Sequence, residues 1–180
     1  QVSNGSSSAA TLKAATSSSI NDNTIYLSKT FGLIKVNGQS SVIYANLNAS
    51  NGVIHVINKV LLFPTNTIAG IAIADPNFSS LVAALVKTNL AGVFTGSGDF
   101  TVFAPTNAAF TQLLGALTLT DINNIPMPTL LAVLRYHVVG GRAFSSDLAN
   151  GNLAMLAGGN TTINLTNGTG GGPTIKGNSN

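Results

Sequence analysis

The sequence predicts an α+β fold, and two features of its order carry that prediction. Strand-like runs fill residues 24–63, and one-faced helical runs then alternate with short strands from residue 67 onward. Strand signals come first. Thr24-Ile-Tyr-Leu-Ser28 and Gly32-Leu-Ile-Lys-Val36 alternate polar and apolar residues, and Asn37-Gly38 supplies a tight turn. Ser41–Leu47 is a further strand, and Asn51-Gly52 turns the chain into Val53–Phe63, a β-branched run stopped by Pro64. Helical signals follow. Thr67–Ala74 opens one helix, and Asp75-Pro76 breaks it and starts the next, since Asp caps and Pro suits a first turn. Phe78, Leu81, Val82, Leu85 and Val86 recur at spacings of three and four, the mark of a helix with one apolar face. A short helix and a Gly-rich turn fill Asn89–Gly98. Phe100–Ala104 is a strand closed by Pro105, Asn107–Leu117 and Met127–Tyr136 are helices, and His137–Val139, Thr161–Thr166 and Thr174–Lys176 return to strand. Gly168–Gly172 reads as a flexible hairpin turn.

Composition narrows the function. Of 180 residues, 44% are apolar, enough for one sizeable core, and only 7% are charged, against roughly 25% in an average soluble domain. There is no Glu; the acids are Asp22, Asp75, Asp99, Asp121 and Asp147. The polar surface therefore comes from Asn, Ser, Thr and Gly, which hydrogen-bond and pack but repel one another little. Eight cations are scattered along the chain, without the basic stripe and interleaved aromatics of a nucleic-acid binder. With no cysteine, disulfides, thiol catalysis and thiolate metal sites are excluded. The longest purely apolar run, Ile68–Ala74, is too short to cross a bilayer. Sequons stand at Asn4, Asn48, Asn77, Asn160, Asn164 and Asn167 and permit glycosylation.

Catalytic constellations are missing. His55 and His137 are the two imidazoles; each sits beside β-branched residues without a partnering acid cluster, so both read as hydrogen-bonded structural histidines. Gly168-Thr-Gly-Gly-Gly172 lacks the Lys-Ser/Thr of a phosphate loop and precedes a strand. There is no Gly-x-Ser-x-Gly elbow, and five dispersed Asp do not make a glycosidase pair. The expectation is a protein that is not an enzyme and needs no cofactor, metal or catalytic residue.

An internal echo adds organisation. Thr24-Ile-Tyr-Leu-Ser28 resembles Thr162-Ile-Asn-Leu-Thr166, about 138 residues on, and Ile34-Lys-x-Asn37 resembles Ile175-Lys-x-Asn178, about 141 residues on. A strand pair recurring at that distance suggests a repeating unit of roughly 140 residues.

Three segments carry a family likeness. Phe100-Thr-Val-Phe-Ala-Pro-Thr-Asn-Ala-Ala-Phe110 resembles the first signature of fasciclin (FAS1) domains, Tyr136-His137 the family's Tyr-His pair, and Asn51-Gly-Val-Ile-His-Val-Ile-Asn-Lys-Val-Leu-Leu62 the second signature. The resemblance implies a twisted antiparallel β-sandwich or wedge with several short packed helices. It implies structural roles for Thr101, Phe103, Pro105, Thr106, Asn107, Phe110, Tyr136, His137, Gly52, His55 and Asn58. Asn107 and Asn58 depart from it, standing where the family often has an acid. Phe103, Phe110, Leu113, Leu131, Leu134, Val138, Ile54, Val56 and Val60 are expected to line the core. Integrin contacts of some animal members lie near Asp-Pro and Tyr-His positions, which makes Asp75 and Pro76 candidate interaction residues.

The signatures stand in permuted order: the second, which closes a family domain, comes first. Residues 1–65 then read as the C-terminal portion of one domain. Residues 66–180 read as the N-terminal and middle portion of the next, completed by a 41–65-type segment from the same or a neighbouring chain. Three readings of this order stay open: a window on a tandem array, a subunit whose 41–65 strand completes the next copy in a filament, and a circular permutant. The implied function is extracellular or cell-surface adhesion and scaffolding by tandem fasciclin domains. The alternatives are a self-assembling surface filament joined by strand exchange and, more weakly, a carbohydrate- or lipid-binding module. The last lacks an evident stacking platform, with no Trp and three Tyr. The expected partners are other copies of the chain, neighbouring fasciclin domains, and cell-surface proteins or glycans, with no nucleic acid and no membrane span.

Overall fold

A computed structural model of the chain describes residues 15–18, 24–30, 32–62, 64–95, 98–165 and 174–177. The fold is α+β. It divides into two compact units, one of residues 1–63 with 143–148, the other of residues 64–142 with 149–180.

The first unit is an antiparallel meander. β1 (Ala15–Ser18), β2 (Thr24–Thr30), β3 (Leu33–Val36), β4 (Ser40–Ala49) and β5 (Gly52–Ile57) pair in chain order. The β3–β4 connection is residues 37–39, with φ of 50° at Asn37 and 65° at Gly38, a left-handed pair that tight hairpin turns favour. Asn37 also closes the turn onto β2: Tyr26 N–H donates to its Oδ1 at 2.9 Å, and its own N–H donates to Tyr26 O at 2.8 Å. Ile25, Ile34 and Val36 are buried here, as are the serines Ser28, Ser40 and Ser41. The distant 143–148 segment joins this unit through Phe144, whose ring meets that of Tyr26 edge-on with centroids 6.0 Å apart. A Cβ on Gly38 would lie 2.5 Å from the Phe144 ring, so the turn glycine serves both backbone geometry and packing.

β3 pairs with β4 only at Lys35↔Ser41 and Val36↔Ser40. The rest of β4 is paired with β5 in a two-stranded arm, with register shifts between Val42 and Tyr44 and between Tyr44 and Leu47. β5 is shorter than the predicted Val53–Phe63 strand. It ends at Ile57 because its antiparallel partner runs back into the 37–39 turn; Asn58 N–H still reaches Ser41 O at 3.1 Å, but residues 59–62 follow no strand. Phe63 lies outside the described residues.

The second unit holds the helices. α1 (Ile68–Ala74) is capped by Thr67, whose Oγ1 accepts from Gly70 N–H at 3.0 Å. Asp75 stops α1 and caps a 3-10 turn at Pro76–Phe78, which leads into α2 (Ser79–Lys87). Another 3-10 turn spans Ala91–Phe94. β6 (Phe100–Val102), α3 (Asn107–Ala116), α4 (Met127–Tyr136) and β7 (Val138–Gly140) follow, with β6 and β7 antiparallel. β8 (Gly151–Ala154), β9 (Asn160–Asn164) and β10 (Thr174–Gly177) form a three-stranded meander. The echoing sequences are thus the central and last strands of two three-stranded meanders, β1–β3 and β8–β10. The predicted turn at Gly168–Gly172 lies outside the described residues.

The core of this unit gathers Leu81, Ala84, Leu85, Phe94, Phe110, Ile125, Leu130, Leu134 and Val138. Phe110, Leu134 and Val138 are where the sequence reading puts them, and Leu113 packs against the cluster. Phe103 and Leu131 are only half-buried. In α4 the fully buried pair is Leu130 and Leu134, four residues apart on one face, which turns Leu131 to the flank. The expectation for Ile54 and Val60 is overturned: both are exposed, Ile54 on the arm and Val60 beyond the last strand, while Val56 is half-buried.

Candidate functional site

The signature residues act chiefly as clasps. In the first signature, Thr101 lies opposite Val139 in the β6–β7 ladder, and its Oγ1 donates to Gly141 O at 2.7 Å. Phe103 N–H donates to His137 O at 2.9 Å, extending the ladder past its last strand residue. Asp99 and Arg142 close the other end: Nε lies 2.9 Å from Oδ1, and Gly141 N–H donates to Asp99 O at 2.8 Å. Pro105 lies beyond the end of β6, and Thr106 stands at the N-cap of α3 without a side-chain cap bond. Phe110 is a core residue.

Asn107 reaches from α3 to the start of α2. Its Oδ1 accepts from Ser80 N–H at 2.9 Å, and its Nδ2 donates to Pro76 O at 2.9 Å and Ser79 Oγ at 3.0 Å. The N-cap residue of α2, Phe78, has no side chain able to cap, so the cap comes from another helix. The same amide holds the turn that begins at Asp75-Pro76. Asp75 Oδ1 itself accepts from Asn77 N–H at 2.9 Å.

Tyr136 and His137 are placed by the end of α4. Tyr136 Oη donates to Asn160 O at 2.9 Å, tying the helix to β9. His137 Nδ1 lies 2.8 Å from Val133 O, a contact in which the ring donates, one helical turn back.

In the first unit, Asn58 clasps the start of β4. Its Oδ1 accepts from Ser41 N–H at 2.8 Å, and Ser40 Oγ, fully buried, donates to Lys59 O at 3.1 Å while accepting from Lys59 N–H at 3.2 Å. His55 Nδ1 accepts from Asn46 N–H at 3.3 Å. Asn46 has φ of 63° at the bulge between Tyr44 and Leu47, so the imidazole braces an irregular stretch of the arm. Gly52 begins β5 after its turn. The predicted site residues therefore fall into two groups, with Gly52, His55 and Asn58 in the first unit and the others in the second.

Sequence reasoning missed Lys87. Its ammonium donates to Asn123 O at 2.6 Å and Ile125 O at 2.9 Å, and lies 3.4 Å from Ile122 O, binding the end of α2 to a 3-10 turn. A lysine in the last turn of a helix was the available signal. Among the described residues, no group of three or more His, Asp or Glu is placed to hold a metal ion, and no single helix is long and apolar enough to cross a membrane. Asn48, Asn77 and Asn160 are exposed sequon asparagines.

The signature residues of both units are engaged mainly with backbone groups. The chain belongs to the fasciclin domain family, whose sequence model matches residues 2–63 and 76–179. An uncharacterized Synechocystis protein is 44% identical over 81 residues, covering 45% of this chain and 59% of that protein. Human periostin is 31% identical over 131 residues, covering 72% of this chain and 15% of periostin. A solved FAS1 domain pair from the insect cell adhesion molecule Fasciclin I matches 91% of this chain and 62% of its own, with a TM-score of 0.50 at 17% identity, a likeness of fold. The chain thus spans about three fifths of the Synechocystis relative and a small part of periostin.

Proposed function

We propose that this chain is part of an extracellular or cell-surface adhesion and scaffolding protein built from tandem fasciclin domains, acting through protein–protein contacts and not through catalysis. The observation that carries this reading is the use of the signature side chains. Asn107, Tyr136, His137 and Asn58 are engaged with backbone groups, as cohesion of a domain requires. Membership of a family that includes an insect cell adhesion molecule supports the adhesive role. On this reading residues 1–65 are the C-terminal portion of one domain and residues 66–180 the N-terminal and middle portion of the next. Support for this division comes from the family match falling in two stretches, 2–63 and 76–179.

Surfaces coated with the chain should hold cells or beads bearing fasciclin domains, and a coating of Leu130→Ala protein, with its core opened, should hold them poorly. Attachment no better than to an albumin coating would refute the adhesive role. The denatured mass of the polypeptide from its native source tests the tandem arrangement separately; a value well above 18.2 kDa is expected.

A further inference from the structure

The chain carries five Asn-Gly pairs, beginning at Asn4, Asn37, Asn51, Asn150 and Asn167. In this pair an asparagine loses its side-chain amide most readily, because the following nitrogen has no neighbouring Cβ to shield it. The reaction is intramolecular. The glycine backbone nitrogen gives up its proton and attacks the asparagine Cγ. The new N–Cγ bond closes a five-membered succinimide, and the side-chain nitrogen departs as ammonia. Water then opens the ring at either carbonyl, leaving aspartate or isoaspartate. One water is consumed and one ammonia released, with no oxidant or other reactant.

Ring closure requires Cγ to swing onto the next residue's nitrogen, so an amide bonded elsewhere must first let go. Three of the pairs lie among the described residues, and the fold treats them differently. Asn37 is held twice: its Oδ1 accepts from Tyr26 N–H at 2.9 Å, and its own N–H donates to Tyr26 O at 2.8 Å. The Phe144 ring closes over Gly38 beside it. Asn150 is held by Leu165 N–H, which donates to its Oδ1 at 2.6 Å. Asn51 is exposed, and among the described residues nothing bonds its side chain. It stands at the tip of the β4–β5 arm, beside the outermost rung Ala49↔Gly52. Opening that rung releases the Gly52 nitrogen and leaves the rest of the ladder paired.

We infer that Asn51-Gly52 is a site of spontaneous deamidation, at which the arm acquires a carboxylate. The stretch from residue 23 to residue 74 contains no acid, so this is its first negative charge, and the net charge of +3 falls by one. Isoaspartate also adds a methylene to the backbone, which takes the Ala49↔Gly52 rung out of register. The inference goes beyond the adhesive reading and fails separately from it.

Peptide mapping by mass spectrometry, on native chain stored in warm, mildly alkaline buffer, provides the test. Each conversion raises a peptide's mass by one unit, and the same peptides are read from the chain by itself or within a longer polypeptide. Asn51 is expected to convert roughly tenfold or more faster than Asn37 and Asn150, the factor set by breaking one hydrogen bond. In denaturant the three pairs should convert at similar rates, since the bonds that distinguish them are gone. Gly52→Ala sets a Cβ beside the attacking nitrogen. A Cβ there meets nothing within 4 Å, and φ lies outside the left-handed region, so the fold accepts it. That chain should keep its amide at residue 51 while residues 37 and 150 convert at the wild-type rate. Asn51 converting no faster than the other two would overturn the inference. So would a ratio of rates that denaturant leaves unchanged, or wild-type conversion at residue 51 in the Gly52→Ala chain. Should that variant fail to fold, the comparison of native with denatured wild type decides the matter alone.

Discussion

Removing the Asn107 amide should destabilise the helical unit measurably. The side chain makes three hydrogen bonds, to Ser80 N–H, Pro76 O and Ser79 Oγ, all at 2.9–3.0 Å. Asn107→Ala leaves the Ser80 amide, one of the orphan donors at the start of α2, without its cap. Loss of a cap costs about 1 kcal/mol, and the two donated bonds, partly open to water, add about 1 kcal/mol together. A total of about 2 kcal/mol corresponds to a fall in Tm of roughly 8 °C for a unit of this size. Asn107→Asp separates the contributions. The carboxylate keeps an acceptor for Ser80 and adds a negative charge beside a helix N-terminus, worth about 0.3–1 kcal/mol, while the bond to Pro76 O is lost. Its net change should stay within about 1 kcal/mol. Among the described residues the four α-helices all belong to the second unit, so the helical circular dichroism signal on heating reports that unit. An unchanged Tm in Asn107→Ala would refute the capping role. Equal losses in the Ala and Asp variants would show that accepting from Ser80 is not what matters.

Two further substitutions test the packing of each unit. Leu130→Ala removes a fully buried side chain from the middle of α4 and should cost about 2–5 kcal/mol, read as an earlier loss of helical signal in urea. Gly38→Ala places a Cβ 2.5 Å from the Phe144 ring at a residue with φ of 65°; about 1–3 kcal/mol should be lost from the first sheet, seen as faster amide exchange at Tyr26 and Asn37. Unchanged exchange there would mean that Phe144 does not pack on the turn.

Legibility followed local chemistry. α2 and α4 were readable because their apolar residues recur on one face, and the Asn37-Gly38 turn because few other pairs tolerate two left-handed residues. β1 and β8 were not readable: Ala15-Thr-Ser-Ser18 and Gly151-Asn-Leu-Ala154 carry almost no alternation, and pairing to a neighbouring strand makes them strands. The overlong reading of β5 had the same root, since a β-branched run shows willingness to extend but not where its partner turns away. Leu130 and Leu131 are interchangeable in sequence and separated only by the face each occupies. The signature residues could be named, but not what they hold. That Asn107 caps a helix other than its own is a tertiary fact, and Ile54 and Val60 were assigned to a core although Ile54 lies on the exposed arm and Val60 beyond it.

Phe144, from outside any strand, reaches a sheet whose last strand ends at Ile57. A chain made from its N-terminus displays Tyr26 and the Asn37-Gly38 turn long before residue 144 has been added, so the meander first stands on its turns and ladders alone. The aromatic seal, bridging more than a hundred residues, closes a loop of high entropic cost and belongs to the last steps of folding. Until then Tyr26 and the turn at Gly38 lack their aromatic cover, and the scarcity of charge nearby leaves little to keep neighbouring chains from meeting them.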